Sequence, residues 1–60
     1  MTINQLLKKM ESDMDVTIWA RREKDYPLYE GASGDVPTAL AKRKVTGIYP
    51  GYYFIGIDTD

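Results

Sequence analysis

The sequence predicts an α+β fold, an N-terminal amphipathic helix packed on a three- or four-stranded antiparallel sheet in the order α-β-β-short helical turn-β-β. Three observations carry this expectation. Thr2 and Gln5 form a capping-box pair ahead of apolar residues at helical spacing. From Val16 the apolar period changes to two. The stretch from Lys44 to Asp58, KVTGIYPGYYFIGID, then holds the densest run of β-branched and aromatic residues, interrupted by Pro50-Gly51, and reads as two strands joined by a turn.

The helix begins where the Thr2 hydroxyl and the Gln5 amide can satisfy two otherwise orphaned N–H groups. Ile3, Leu6, Leu7 and Met10 make one apolar stripe, with Asn4, Lys8, Lys9 and Glu11 on the other side. Met14 extends the stripe if the helix lasts that far, and Ser12-Asp13, poor helix formers, mark its last turn. So short a helix is marginal alone in water and must dock on something. In the first strand Val16, Ile18 and Ala20 point to the core, which leaves Thr17, Trp19 and Arg21 on the opposite face, with Trp19 exposed. After a charged turn, Tyr26 to Glu30 resumes extended structure. Pro27 lacks an N–H, so this strand lies at an edge or starts near Leu28. Gly31, Ser33 and Gly34 break the pattern. Asp35-Val36-Pro37 can open a helical turn over TALAK, residues 38–42, or the segment is an irregular crossover.

Tyr49-Pro50-Gly51-Tyr52 carries the residues of a type II turn, although a longer loop or a glycine bulge also fits. With a two-residue loop, Ile48 lies opposite Tyr53, Thr46 opposite Ile55 and Gly47 opposite Phe54. Both faces of the hairpin are then apolar. Ile48, Tyr53, Ile55 and Ile57 cover the helix, while Val45, Tyr49, Tyr52 and Phe54 face outward, joined by Trp19. Each apolar side chain left wet forgoes about 1.5–3 kcal/mol of burial. Either the TALAK segment covers the second face, or another subunit or a partner does. Trp19, Val45, Tyr49, Tyr52 and Phe54 are therefore the candidate interface.

Sixty residues allow one domain, spanning 1–60. A chain of this size buries only about 60% of the surface that its unfolded form exposes. Small domains compensate with disulfides, a metal or self-association. The chain has no Cys and no His, which leaves self-association, and a homo-oligomer is the expected state. A formal charge of −1 weighs against a dedicated duplex-DNA binder. With no leader-like segment and no long apolar run, the expectation is a soluble cytoplasmic protein without membrane contact.

The chemical inventory is thin. Without His or Cys, the commonest general base and the thiol nucleophile are missing, and any metal would rely on carboxylates alone. Glu11, Asp13 and Asp15 form a dense acidic cluster, but it lacks the glycine and distal Glu of a calcium loop and reads as a polar turn. Asp58 and Asp60 read as a solvated terminus. Ser12 and Ser33 have no base beside them, and GASG lacks the spacing of a phosphate loop. No catalytic, cofactor or metal residue is assigned, and a non-enzymatic protein is expected. Arg21, Arg22, Lys24, Lys42, Arg43 and Lys44, beside Trp19, Tyr26, Tyr49, Tyr52 and Tyr53, are the candidate nucleic-acid contacts, since cations interleaved with aromatic rings hold single strands.

The MTINQLL opening, the VTIW strand, Leu28-Tyr29-Glu30-Gly31, Asp35-Val36-Pro37 and the Lys44 to Tyr49 segment together resemble small uncharacterised proteins encoded by phages and prophages of Gram-positive bacteria. The resemblance implies action by binding a host protein, in the manner of small phage proteins that inhibit CRISPR nucleases. It carries over no catalytic residue. The leading expectation is a self-associating binding protein directed at host machinery, and the alternative is a nucleic-acid-interacting module with a basic and aromatic sheet surface.

Overall fold

The structure, a computed structural model, describes residues 1–23 and 25–60. Helix α1 spans Ile3–Leu7, strand β1 Asp15–Ala20, strand β2 Tyr29–Ala32, a 3-10 turn Ser33–Asp35, helix α2 Thr38–Ala41, strand β3 Val45–Pro50 and strand β4 Ile55–Thr59. The fold is α+β in the expected order, on a four-stranded sheet arranged β2-β1-β4-β3. The sheet is mixed. β2 and β3 each pair antiparallel with their neighbour, while β1 and β4 run parallel at its centre.

The capping box forms as expected: the Thr2 N–H donates to Gln5 Oε1 at 2.8 Å and the Gln5 N–H to Thr2 Oγ1 at 3.2 Å. The helix is shorter than its stripe. Beyond Leu7 the chain tightens, with the N–H groups of Lys9 and Met10 donating to the carbonyls of Leu6 and Leu7. Leu6, Leu7 and Met10 still pack on the core, so the apolar spacing holds through a tightened turn, while Met14 is exposed. Residues Met1 to Ile3 also add a short antiparallel piece beside the start of β3. The Ile3 N–H donates to the Arg43 carbonyl and the Val45 N–H to the Met1 carbonyl, both at 2.8 Å.

Ile3, Val16, Ile18 and Ile57 form the buried core, flanked by partly buried Tyr29, Val36, Val45 and Ile55. The period-two reading of β1 holds: Val16 and Ile18 are buried beneath the helices, and Trp19 lies on the other face. Trp19 is half-buried rather than exposed, and its Nε1 is enclosed with no hydrogen-bond partner among the described residues. Residues 38–41 are helical, and α2 packs beside α1 on the same side of the sheet. The β2-to-β3 connection thus crosses from one sheet edge to the other beneath the sheet, and among the described residues the second face receives no helix.

The hairpin register differs from the expected one. Ile48 pairs with Ile57, Gly47 with Asp58, Tyr49 with Gly56 and Pro50 with Ile55. Residues 51–54 form the loop, closed by the Gly51 N–H donating to the Phe54 carbonyl at 2.8 Å. The type II turn was disfavoured because its twist opposes that of the strands. A bulge between Val45 and Gly47 inserts Thr46 and reverses the alternation. Val45 therefore packs on the core, contrary to its expected outward place, and Tyr53 leaves the sheet for the loop.

Two buried polar residues hold the ends of the sheet. The Ser33 hydroxyl donates to the Glu11 carbonyl, which clamps the α1–β1 connection to the end of β2. The Thr59 hydroxyl donates to the Lys44 carbonyl at 2.7 Å, which ties β4 to the approach to β3. Asp58 is half-buried within β4 and is no part of a solvated tail.

Candidate functional site

The parallel pairing of β1 with β4 decides which side chains meet. Arg21 and Arg22 follow the C-terminal end of β1, and Lys42, Arg43 and Lys44 lead into β3 at the same end of the sheet, where Val45 pairs with Thr59. Two hydrogen bonds fasten this end: the Arg21 N–H donates to the Thr59 carbonyl at 2.6 Å, and Arg43 Nη1 to the Asp60 carbonyl at 3.1 Å. The two basic segments, far apart in sequence, thus flank the end of β4. Lys24 lies outside the described residues.

The aromatic residues of the hairpin gather at the opposite end. Tyr49, Tyr52, Tyr53 and Phe54 lie where β3 turns into β4, about 15 Å of strand away from the basic end. Trp19 and Tyr26 remain near the basic end, so the cations are not interleaved with the hairpin rings as the sequence implied.

The hairpin rings divide into two sets. Tyr49 and Phe54 are folded down on glycine backbone: a Cβ on Gly56 would stand 2.3 Å from the Tyr49 ring, and one on Gly51 would stand 2.3 Å from the Phe54 ring. Bare backbone there lets each ring lie flat and cover the outer face from within. Tyr52 and Tyr53 do the reverse. They are 85% and 79% exposed at the loop tip and hold each other edge to face, with ring centroids 4.4 Å apart. Farther back along the edge strand β3, at the position paired with Ile57, Ile48 is 52% exposed. Of the expected interface residues, the structure brings Tyr49, Tyr52 and Phe54 to one end, leaves Trp19 toward the other end of the outer face, and removes Val45 to the core side.

The β3 edge has a readable hydrogen-bond polarity. Because the Gly51 N–H is directed to Phe54, the antiparallel alternation turns the backbone groups of Tyr49 toward β4 and those of Ile48 and Pro50 outward. Pro50 has no N–H to offer. The outward groups near the middle of this edge are therefore the Ile48 N–H and carbonyl and the Pro50 carbonyl. Met1 occupies the Val45 N–H farther along.

On the outer face, Asp15, Thr17, Glu30, Gly31, Tyr53 and Phe54 line a cleft of about 340 Å³. The sequence held no sign that Glu30 and Phe54 would meet across β1. Thr17 pairs with Glu30 on β2, and Asp15 lies two residues before Thr17 on the same face. A second groove, between α1 and α2, is lined by Thr2, Asn4, Val36, Thr38, Ala41 and Lys42. Among the described residues no cluster of His, Cys, Asp and Glu is placed to hold a metal ion, and no helix is long and apolar enough to cross a membrane. Comparison with protein families, with curated proteins and with solved structures finds no match to this chain.

Proposed function

We propose that this protein acts by binding other proteins, without catalysing a reaction, and that the β3–β4 hairpin is its contact surface. The supporting observation is the exposed pair Tyr52 and Tyr53 at the hairpin tip, whose rings are in edge-to-face contact. Large aromatic side chains with a polar end contribute much of the energy of protein interfaces at low entropic cost, and Tyr is enriched among the residues that dominate binding. The resemblance to phage-encoded proteins makes a host protein, including a CRISPR nuclease, the partner in this reading. The chain also self-associates here, with β3 pairing antiparallel to β3 of a second copy about Ile48, the residue whose outward N–H and carbonyl are complementary to themselves.

The test of the tip is capture from an extract of a Gram-positive host, using the wild-type protein and a Tyr52→Ala/Tyr53→Ala variant immobilised at equal density. Both substituted side chains are solvent-exposed, so the variant keeps its cooperative unfolding transition. A specific protein retained by the wild type and lost from the variant is the expected result. Equal retention by the two would refute the tip as the contact.

A second reading rests on the convergence of Arg21, Arg22, Lys42, Arg43 and Lys44 at one end of the sheet. There a single-stranded nucleic acid would be held mainly by its phosphates. Binding that weakens steeply with salt and quenches Trp19 fluorescence would favour this reading, and no shift of an oligonucleotide at low salt would eliminate it.

A further inference from the structure

We infer that the outer-face cleft between β1, β2 and the hairpin loop is a receptor for the guanidinium group of an arginine side chain presented by a partner protein. Asp15 and Thr17 of β1 and Glu30 of β2 line it together with Tyr53 and Phe54 of the hairpin loop. Cross-strand neighbours such as Thr17 and Glu30 stand about 5 Å apart, and Asp15 is about 7 Å along the strand from Thr17. The three oxygen-bearing side chains therefore line one open cleft, close enough for a single planar cation to reach more than one of them.

Thr17 is the observation that separates this cleft from a mere acidic edge. It is only 6% exposed, and the surface it keeps lies in the cleft. Among the described residues its hydroxyl has no hydrogen-bond partner. The hydroxyl itself is not enclosed, the enclosed unpaired side-chain atom among the described residues being Trp19 Nε1, so it keeps its access to the cleft and is open to a donor that enters it. Asp15 and Glu30 likewise form no ion pair with a described residue.

The chemistry selects arginine over other cations. A guanidinium carries five N–H donors in a plane, enough to serve two carboxylates and a hydroxyl together, and its faces stack on aromatic rings. An ammonium group has three donors and no face to stack. A divalent metal would gain nothing from Tyr53 and Phe54, and the volume of about 340 Å³ far exceeds that of a bare ion. The electrostatics agree. Asp15 and Glu30 are the charged residues that line the cleft, whereas this chain's own converged arginines lie at the other end of the sheet.

The identity of the presenting partner rests on the protein-binding reading, whereas the cleft itself is tested without any partner. The ¹⁵N-labelled wild-type protein is titrated with Nα-acetyl-arginine amide, and in parallel with the lysine and the neutral citrulline analogues. Saturable amide shifts confined to Thr17, Glu30, Gly31 and Phe54 are expected, larger with arginine than with lysine and absent with citrulline. Glu30→Gln and Asp15→Asn should each weaken binding by roughly three- to fivefold, the worth of one exposed charge pair. Thr17→Val, which keeps the side-chain shape, should weaken it without disturbing the remaining spectrum. No saturable shift with arginine, or equal shifts with citrulline, would overturn the inference. Shifts of the same amides on raising the protein concentration alone would overturn the assignment of the arginine to a partner, because a second copy would then be its source.

Discussion

A Cβ built on Gly56 would stand 2.3 Å from the Tyr49 ring, so the outer face of the sheet is closed at that point by a side chain from the neighbouring strand. The sequence reading assigned the cover of this face to residues 38–42, another subunit or a partner, and part of that cover comes instead from the hairpin's own rings, for a reason that residue types alone do not reveal. The rings of Tyr49 and Phe54 have glycine backbone to lie on, and they save part of their burial without a second layer. Gly56→Ala should lift the Tyr49 ring off β4. The expected readouts are a lost near-ultraviolet signal from that ring and a stability loss of about 1 kcal/mol, partly offset by the lower chain entropy of alanine in the unfolded state. The core is less forgiving. Ile57 lies at 0% exposure on a central strand, and Ile57→Ala should cost about 2–5 kcal/mol through lost contacts and a residual cavity. In a domain this small such a loss rivals the whole folding free energy, so chemical denaturation of the variant should show a transition shifted to very low denaturant or missing.

At the scale of elements, the features with local causes were legible in the sequence. The capping box at Thr2 and Gln5 and the alternation of Val16, Thr17, Ile18 and Trp19 depend on near neighbours in the chain, and the structure contains both. Thr2→Ala removes the hydroxyl that accepts the Gln5 N–H and should destabilise the protein by about 1 kcal/mol, measurable by urea unfolding. The helix end was less legible, because Leu6, Leu7 and Met10 are held by packing whether the backbone is α-helical or tightened. The hairpin register was not legible, since one bulge at Thr46 and a four-residue loop each move side chains between faces. That is why Val45 belongs to the core and Tyr53 to the tip. The candidate cleft was hidden for a different reason. Asp15, Glu30 and Phe54 meet only because β1 pairs with β2 on one side and with β4 in parallel on the other, and no local pattern encodes a parallel pairing between the first and last strands.

Taken whole, the molecule is a slab 17 Å through its thinnest direction, with the helices of the described residues on one side of the sheet. Its fully buried apolar residues are few, and its two sheet edges are unequal. β2 is short, with Glu30 on it, whereas β3 is longer and carries no charge, with exposed Ile48 near its middle. Charged side chains, bulges and proline are the usual protections of an open edge. β3 keeps the bulge at Thr46 and Pro50 at its end, so only the segment around Ile48 is left open. Pairing of two copies there would extend the sheet across a two-fold axis and withdraw Ile48 and Tyr49 from water. The central claim is that the hairpin serves as core on one side and as interface along its edge and tip. Sedimentation equilibrium of the wild type and of Ile48→Lys, across a concentration range from micromolar to millimolar, tests it most directly. The wild type should rise above the 6.8 kDa monomer mass as concentration increases, while the variant remains a folded monomer. A wild type that stays at the monomer mass throughout, or a variant that associates as strongly as the wild type, would contradict the account.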